Sequence, residues 1–426
     1  MTRIQPAPSR QRSGAAHLAI ALLAGGTLAG TLAGGAGPAA ASAVRASAVR
    51  ATAVRASADR AAAAPACDRW SVVRPPDPAL ALDDLFGVAV LSARNIWAVG
   101  DDAAADNAGA PYKSLIVHWN GQSWKKVPSP SPGIGSTYLT SVTAVSSSNI
   151  WAAGDYSTQS GDFASNKTLM LHWNGRAWRQ VKTPSPGSFA NDLSTVRRVS
   201  ANSVWAVGAD AGSNFQDKSL ILHWNGRAWS TVRSPNPGKL NNSLGGLAVV
   251  SAKSIWTTED YSNSSGTPGT SAIVHWNGRT WSKAAAAPSG SDLIDVTASS
   301  ARNAWAVGGD KKGLSMALHW NGRAWKRVPT PNVEPGKLIN SLESVTAVSP
   351  TSAWAVGVAQ NVFSVFEGTA MEMHWNGRKW SRMKSPAPGA NSALFGIQAT
   401  SAVSPWAVGE YGNSDTVQRT LVFRCR

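Results

Sequence analysis

A chain of 426 residues with 43% hydrophobic content can bury a large core, and 15% charged residues beside 39 Gly and 24 Pro exclude a disordered polymer and favour β-structure rich in turns. The net charge of +16 favours anionic partners without naming one. Removing the seven arginines and one aspartate of residues 1–66 still leaves 33 basic residues against 23 acidic ones.

Arg3, Arg10 and Arg12 precede an apolar stretch from Ala15 to Ala36, the pattern of a signal peptide ending in the small-residue run at 39–43. Its Gly and Ala content argues against stable membrane insertion. Residues 44–66 carry pentads of the ASAVR type, a low-complexity linker with no core of its own.

From residue 67 to 426 the chain repeats. Trp97, Trp151, Trp205, Trp256, Trp305, Trp354 and Trp406 stand in WAVG-like settings, and six copies of HWNGxxW follow at intervals; with Trp70 these account for all 20 tryptophans. A serine lies five residues before each WAVG tryptophan and an aliphatic residue nine before it. Two short apolar runs joined by a polar turn predict two antiparallel strands. A polar segment of variable length leads to a third run such as TLMLHW. Then NG predicts a two-residue hairpin turn, and a run such as RAWRQV predicts a fourth strand that ends in proline-rich text.

Each unit is therefore expected to be a four-stranded meander, and the period predicts an all-β, seven-bladed β-propeller. The last unit is split. TLVFRCR ends the chain without a fourth strand, while CDRWSVVRPPDP at 67–78 aligns with GRAWSTVRSPNP at 226–237. The N-terminal strand is thus expected to close the ring by pairing with the C-terminal strands. Cys67 and Cys425 fall in columns that face each other across the hairpin turn of other units, so a disulfide is expected to replace that turn.

His118, His172, His223, His275, His319 and His374 share one column, which spreads them around a ring rather than gathering them at a metal. With histidines and cysteines so employed, nucleophilic catalysis is disfavoured. Four to five residues after the WAVG tryptophan stand Asp101, Asp155 with Tyr156, Asp210, Asp260 with Tyr261, Asp310, and Glu410 with Tyr411. Carboxylates and tyrosines on one face suit sugar hydroxyls or Ca²⁺, with no other cofactor implied. The opposite face is predicted to carry a basic ring of Arg176, Arg227, Arg279, Arg323 and Arg378 beside the NG turns. The column Ala89, Thr143, Arg197, Ala248, Thr297, Thr346 and Gln398 is expected to line a central channel, where Arg197 and Arg198 break the repeat.

The WAVG and HWNG segments resemble the repeats of tectonin- or tachylectin-type lectin propellers. HWNGRAW at 172–178 is also similar to the Asp-box of sialidase-like propellers, departing from it at Trp173, where the aspartate belongs. The resemblance spans 67–426 and implies a propeller that binds carbohydrate, without supplying site residues. The expectation is a secreted, extracellular or cell-wall-associated monomer that binds carbohydrate or an anionic cell-wall polymer without catalysis. The alternatives are a glycan-active hydrolase or lyase using the loop carboxylates, and a platform for an extracellular protein. Nucleic acid is not an expected partner, since no reading motif is present.

Overall fold

The computed structural model describes residues 67, 69–77, 82–103, 110–159, 165–264, 269–361, 364–386, 391–401, 404–414 and 417–425. The expected signal peptide and linker at 1–66 lie outside them. The described elements are all strands. β1 (Trp70–Val72) precedes β2 (Leu82–Ser92), β3 (Asn95–Ala103), β4 (Lys113–Trp119) and β5 (Trp124–Lys126). The second unit is β6 (Thr137–Ser146), β7 (Asn149–Ser157), β8 (Asn166–Trp173) and β9 (Trp178–Gln180). The third is β10 (Ala190–Ser200), β11 (Ser203–Ala211), β12 (Asp217–Trp224) and β13 (Trp229–Val232). The fourth is β14 (Asn241–Ser251), β15 (Ser254–Ser262), β16 (Thr270–Trp276) and β17 (Trp281–Ala286). The fifth is β18 (Ser291–Ser300), β19 (Asn303–Asp310), β20 (Ser315–Trp320) and β21 (Trp325–Val328). The sixth is β22 (Leu338–Ser349), β23 (Ser352–Asn361), β24 (Ser364–Trp375) and β25 (Trp380–Arg382), followed by β26 (Asn391–Gln398), β27 (Trp406–Ser414) and β28 (Val417–Cys425).

Units two to six each form a separate four-stranded antiparallel sheet in chain order. β2 to β5 form the same meander and β26 to β28 a three-stranded one, and one parallel bridge between Leu82 and Gln418 merges the two into a larger sheet. β1 pairs antiparallel with β28, Trp70 facing Cys425 just as Trp124 faces Trp119 in the first unit. Cys67 and Cys425 form a disulfide with Cα atoms 5.7 Å apart.

Tryptophan spacing decides the packing. The WAVG indole of each unit lies against the two HWNGxxW indoles of the next: Trp97 sits 5.0 Å from Trp173 and 5.5 Å, edge-on, from Trp178. The pattern carries on to Trp305 with Trp375 and Trp380. Trp354 then meets Trp70, and Trp406 meets Trp119 and Trp124. Such tilted and edge-to-face pairs add to the apolar area they bury. Each hydrophobic cluster joins two successive units, for example Leu85, Ile96 and Val117 with Trp406, Val408 and Val422.

The hairpin loop differs from expectation. Trp119 pairs with Trp124, so four residues, 120–123, make the turn rather than two. Asn120 explains the extra length: its Oδ1 accepts from the N–H of Gln122 and of Ser123 at 2.9 and 3.0 Å, and Gly121 takes φ +100°, a conformation that favours glycine. The same asparagine bonds recur at Asn174, Asn225, Asn277, Asn321 and Asn376.

Candidate functional site

The acidic column lies where the second strand of each unit ends, and the structure holds its members locally, one group per unit. Asp101 is fully buried opposite Asp84, beside Asp83 and Asp102, and Asp102 takes an ion pair from Lys126 at 3.0 Å. Asp155 is buried and accepts from Asn166 Nδ2 at 3.0 Å. Asp310 accepts from the N–H groups of Lys312 and Leu314 and from Arg327 at 2.8 Å. The Tyr261 hydroxyl accepts from Lys283 at 2.7 Å. Tyr156 and Tyr411 pack against core clusters. Asp210, Asp260 and Glu410 are half-buried.

Burial raises the Asp210 carboxyl, Lys218 opposing and Asp217 reinforcing the shift. Asp210 also lines a cleft of about 480 Å³ with Ser219, Arg233 and Asn236. Among the described residues no three His, Cys, Asp or Glu side chains come close enough to hold a metal ion, so the acids considered for Ca²⁺ do not converge there.

Members of the column expected to line a channel make contacts between units. Ala89, Thr143, Ala248 and Thr346 are buried. Thr143 Oγ1 accepts from Arg198 N–H and Thr297 Oγ1 from Ala347 N–H, both at 3.4 Å, and Gln398 Oε1 accepts from Val90 N–H. The first strand of every unit also carries a β-bulge. It leaves one extra residue out of register, eleven before the WAVG tryptophan: Phe86, Thr140, Ser194, Gly245, Ile294, Glu343 and Phe395. A bulge re-aims the side chains that follow it.

Arg197 donates to Ser141 Oγ at 3.2 Å and to its neighbour's carbonyl at 3.0 Å, and lies in the field of Asp295. Asp295 accepts from Ser344 Oγ and Val345 N–H, both at 2.9 Å, which ties the fifth unit to the sixth. Burial drives its carboxyl upward while Arg197 pulls it down. Arg198 is exposed.

Three glutamates were not singled out by the sequence. Glu259, Glu343 and Glu372 are each pushed up to about 7, chiefly by burial. Glu259 stands where six units have the WAVG glycine, and Glu372 in a column otherwise filled by Ile, Met, Val or Ala, so a charged residue in an apolar column was the available signal.

The histidine column is structural. Each ring lies on the WAVG tryptophan of its own unit, 4.3 Å away for Trp97 and His118, and His118 Nε2 reaches Asn95 Oδ1 at 2.9 Å. Burial lowers all six rings.

At the hairpin end, Arg176, Arg227, Arg279, Arg323 and Arg378 are exposed, with Arg94, Lys253 and Arg302 on the adjacent turns. Their backbone N–H groups are held by Asn or Ser side chains. Among the described residues their charged ends make no ion pair. The turns 120–123, 174–177, 225–228, 277–280, 321–324 and 376–379 contain no Asp or Glu, nor do the turns joining first to second strands.

No family model matches the chain, and no curated protein matches it in sequence. Solved structures do. YCF48 bound to D1 peptide is 13% identical, with a TM-score of 0.51 over 84% of this chain and 96% of that one. A protein of unknown function from Dyadobacter fermentans is 11% identical, with a TM-score of 0.52 over 84% and 98%. A polysaccharide lyase, an ulvan lyase bound to a saccharide, is 10% identical, with a TM-score of 0.52 over 82% and 92%. YCF48 and the lyase are β-propellers, and at such identities the likeness concerns the fold alone.

Proposed function

We propose that the protein is an exported, monomeric, non-enzymatic binding module: a seven-bladed propeller of the tectonin or tachylectin kind, closed through β1 and β28, that holds an anionic cell-surface polymer on its hairpin-turn face. The closure reading draws on the Trp354–Trp70 and Trp406–Trp119 contacts, which continue the inter-unit pattern through both chain ends.

The observation that carries the function is the separation of charge along the strands. Carboxylates gather at one end, many of them engaged by lysine, arginine or backbone, whereas the other end presents arginine at one repeated position with no acid in its turns. Guanidinium groups bind carboxylate, sulfate and phosphate oxygens in a two-pronged way. Several such groups on one rigid face multiply weak contacts along a polymer. Indoles of the HWNG motif donate to the neighbouring turn, as Trp119 does to Ala93 O at 3.1 Å, so they brace this face rather than offer stacking surfaces.

The test is to titrate the mature chain with polygalacturonate, polyphosphate and neutral dextran from low to high salt. Both polyanions should bind, weaken steeply with salt, and lose most affinity in an R176E/R279E/R378E variant. Polyanion binding that does not weaken with salt, or an unaffected variant, would refute the reading. Turnover of a glycan, abolished by Asp101→Asn or Asp155→Asn, would instead support the hydrolase or lyase alternative.

A further inference from the structure

Three non-glycine residues among those described have positive φ: Phe215 at 58°, Asn236 at 47° and Glu334 at 37°. Two have local reasons. Asn236 uses the conformation to accept from Ser219 N–H at 2.7 Å, and Glu334 opens a turn closed by Lys337, whose ammonium lies 3.5 Å away. Phe215 is different, because a bulky apolar residue in the left-handed region is a true outlier.

Phe215 closes the short β11–β12 turn through its N–H to Gly212 O at 3.0 Å. Asparagine or glycine would make that turn with less strain. Phe215 is 64% exposed, and the other large exposed apolar residue among those described is Ile134. One edge-to-face contact with Phe189, 4.5 Å between centroids, holds the ring upright and leaves a face to solvent. An exposed and a half-buried amide flank it: Asn214 Nδ2 donates to Gln216 Oε1 at 3.1 Å, and Asn214 Oδ1 accepts from Gln216 N–H at 3.3 Å. The turn lies at the opposite end of β12 from the arginine-bearing hairpin.

We infer that Phe215, braced by Phe189 and flanked by Asn214 and Gln216, is a saccharide subsite in which the apolar face of a pyranose ring stacks on the phenyl ring and its hydroxyls bond the side-chain amides. The surroundings select this occupant. A protein partner needs a contiguous patch of roughly 800 Å² per side, and two phenyl rings fall far short of it. A nucleobase would demand an excess of neighbouring cations for its phosphates, whereas Ser213, Asn214 and Gln216 are uncharged and the next two residues, Asp217 and Lys218, offset one another. A small aromatic platform with amides at its rim fits a neutral sugar. Strain at an exposed site is retained where the surroundings and the function fix it. This site is independent of polyanion binding at the other end of the strands.

The experiment uses the full chain in high salt, where polyanion binding is screened, and a panel of neutral gluco-, manno-, xylo- and chito-oligosaccharides followed by saturation-transfer NMR. Wild type and F215Y should bind at least one member of the panel. F215N should bind that member up to about tenfold more weakly, while its melting temperature stays level or rises and its low-salt polyanion binding is unchanged. Failure of every oligosaccharide to bind wild type, or equal binding by F215N, would overturn the inference. So would a lowered melting temperature in F215N, because the ring would then serve folding.

Discussion

Asp77 accepts hydrogen bonds from the backbone N–H and the hydroxyl of Thr420, at 3.0 and 2.7 Å, across 343 residues of chain. The same latch occurs inside other units, where the proline-rich segment after the fourth strand caps the start of the third. Asn236 holds Ser219 N–H and Asn332 holds Ser315 N–H, both at 2.7 Å. Asp77 thus completes for the two chain ends what continuous chain does elsewhere. Asp77→Ala should cost about 1–2 kcal/mol, with Asp77→Asn retaining most of the stability. Thermal melts of the two variants beside wild type check this, and equal loss in both would show that the charge, shared with Arg419 at 3.5 Å, matters more than the latch.

The Cys67–Cys425 bridge closes a loop with a sequence separation of 358. The chain-entropy model assigns such a loop roughly 5–6 kcal/mol. Reduction, or a C67S/C425S double variant, should therefore move the urea midpoint down sharply. Unchanged midpoints with and without reductant would remove the bridge from the account of stability.

The buried glutamates give stability a pH dependence of definite sign. Their folded values near 7 lie above the ordinary 4.5, so the folded state binds extra protons between those limits. The stabilisation is complete below about 4.5, declines as pH rises, and is gone above about 7. Glu259→Gln, Glu343→Gln and Glu372→Gln should each match wild type at pH 4.5 and exceed it at pH 8, by on the order of 1–3 kcal/mol. The lowered histidines act oppositely, losing stability as pH falls below 6.5, so only the difference between variant and wild type isolates the carboxyl. A difference that does not change with pH would exclude the assignment.

The WAVG glycines are required by close approach rather than by an unusual φ. A Cβ on Gly208 would fall well inside contact distance of Asp192 O, and Gly100, Gly154, Gly308, Gly357 and Gly409 face the first strand in the same way. The fourth unit places Glu259 there instead and carries Gly245-Gly246 at its bulge, where Thr258 Oγ1 accepts from Gly246 N–H at 2.9 Å. Gly208→Ala should be severely destabilising, and Gly246→Ala likewise, since its Cβ would meet Asp295. Melting temperatures within a few degrees of wild type would contradict the close-approach account.

The meander of each unit, the split last unit and the cysteine pairing were legible in the sequence because each is a column repeated or conspicuously missing. The bulge was not, since one extra residue inside a regular apolar run leaves the tryptophan spacing unchanged, and no column marks Phe86 or Glu343 as the residue left out of register. The engagement of Asp310 by Arg327 was hidden because the partners lie 17 residues apart on non-adjacent strands. Phe215 sits in a segment of variable length that aligns with nothing, so only its backbone conformation marks it.

The pairing of β1 with β28 also sets a timetable. Ser71 Oγ donates to the carbonyl of Arg424, 353 residues later, and Trp70 is buried against Trp354 and Phe423. At roughly 5–20 residues per second, synthesis leaves the first strand waiting on the order of 20–70 s for these partners. During that interval an indole and a strand edge stay uncovered, so a chain truncated even ten residues early would be left with a permanently sticky beginning rather than a shortened end.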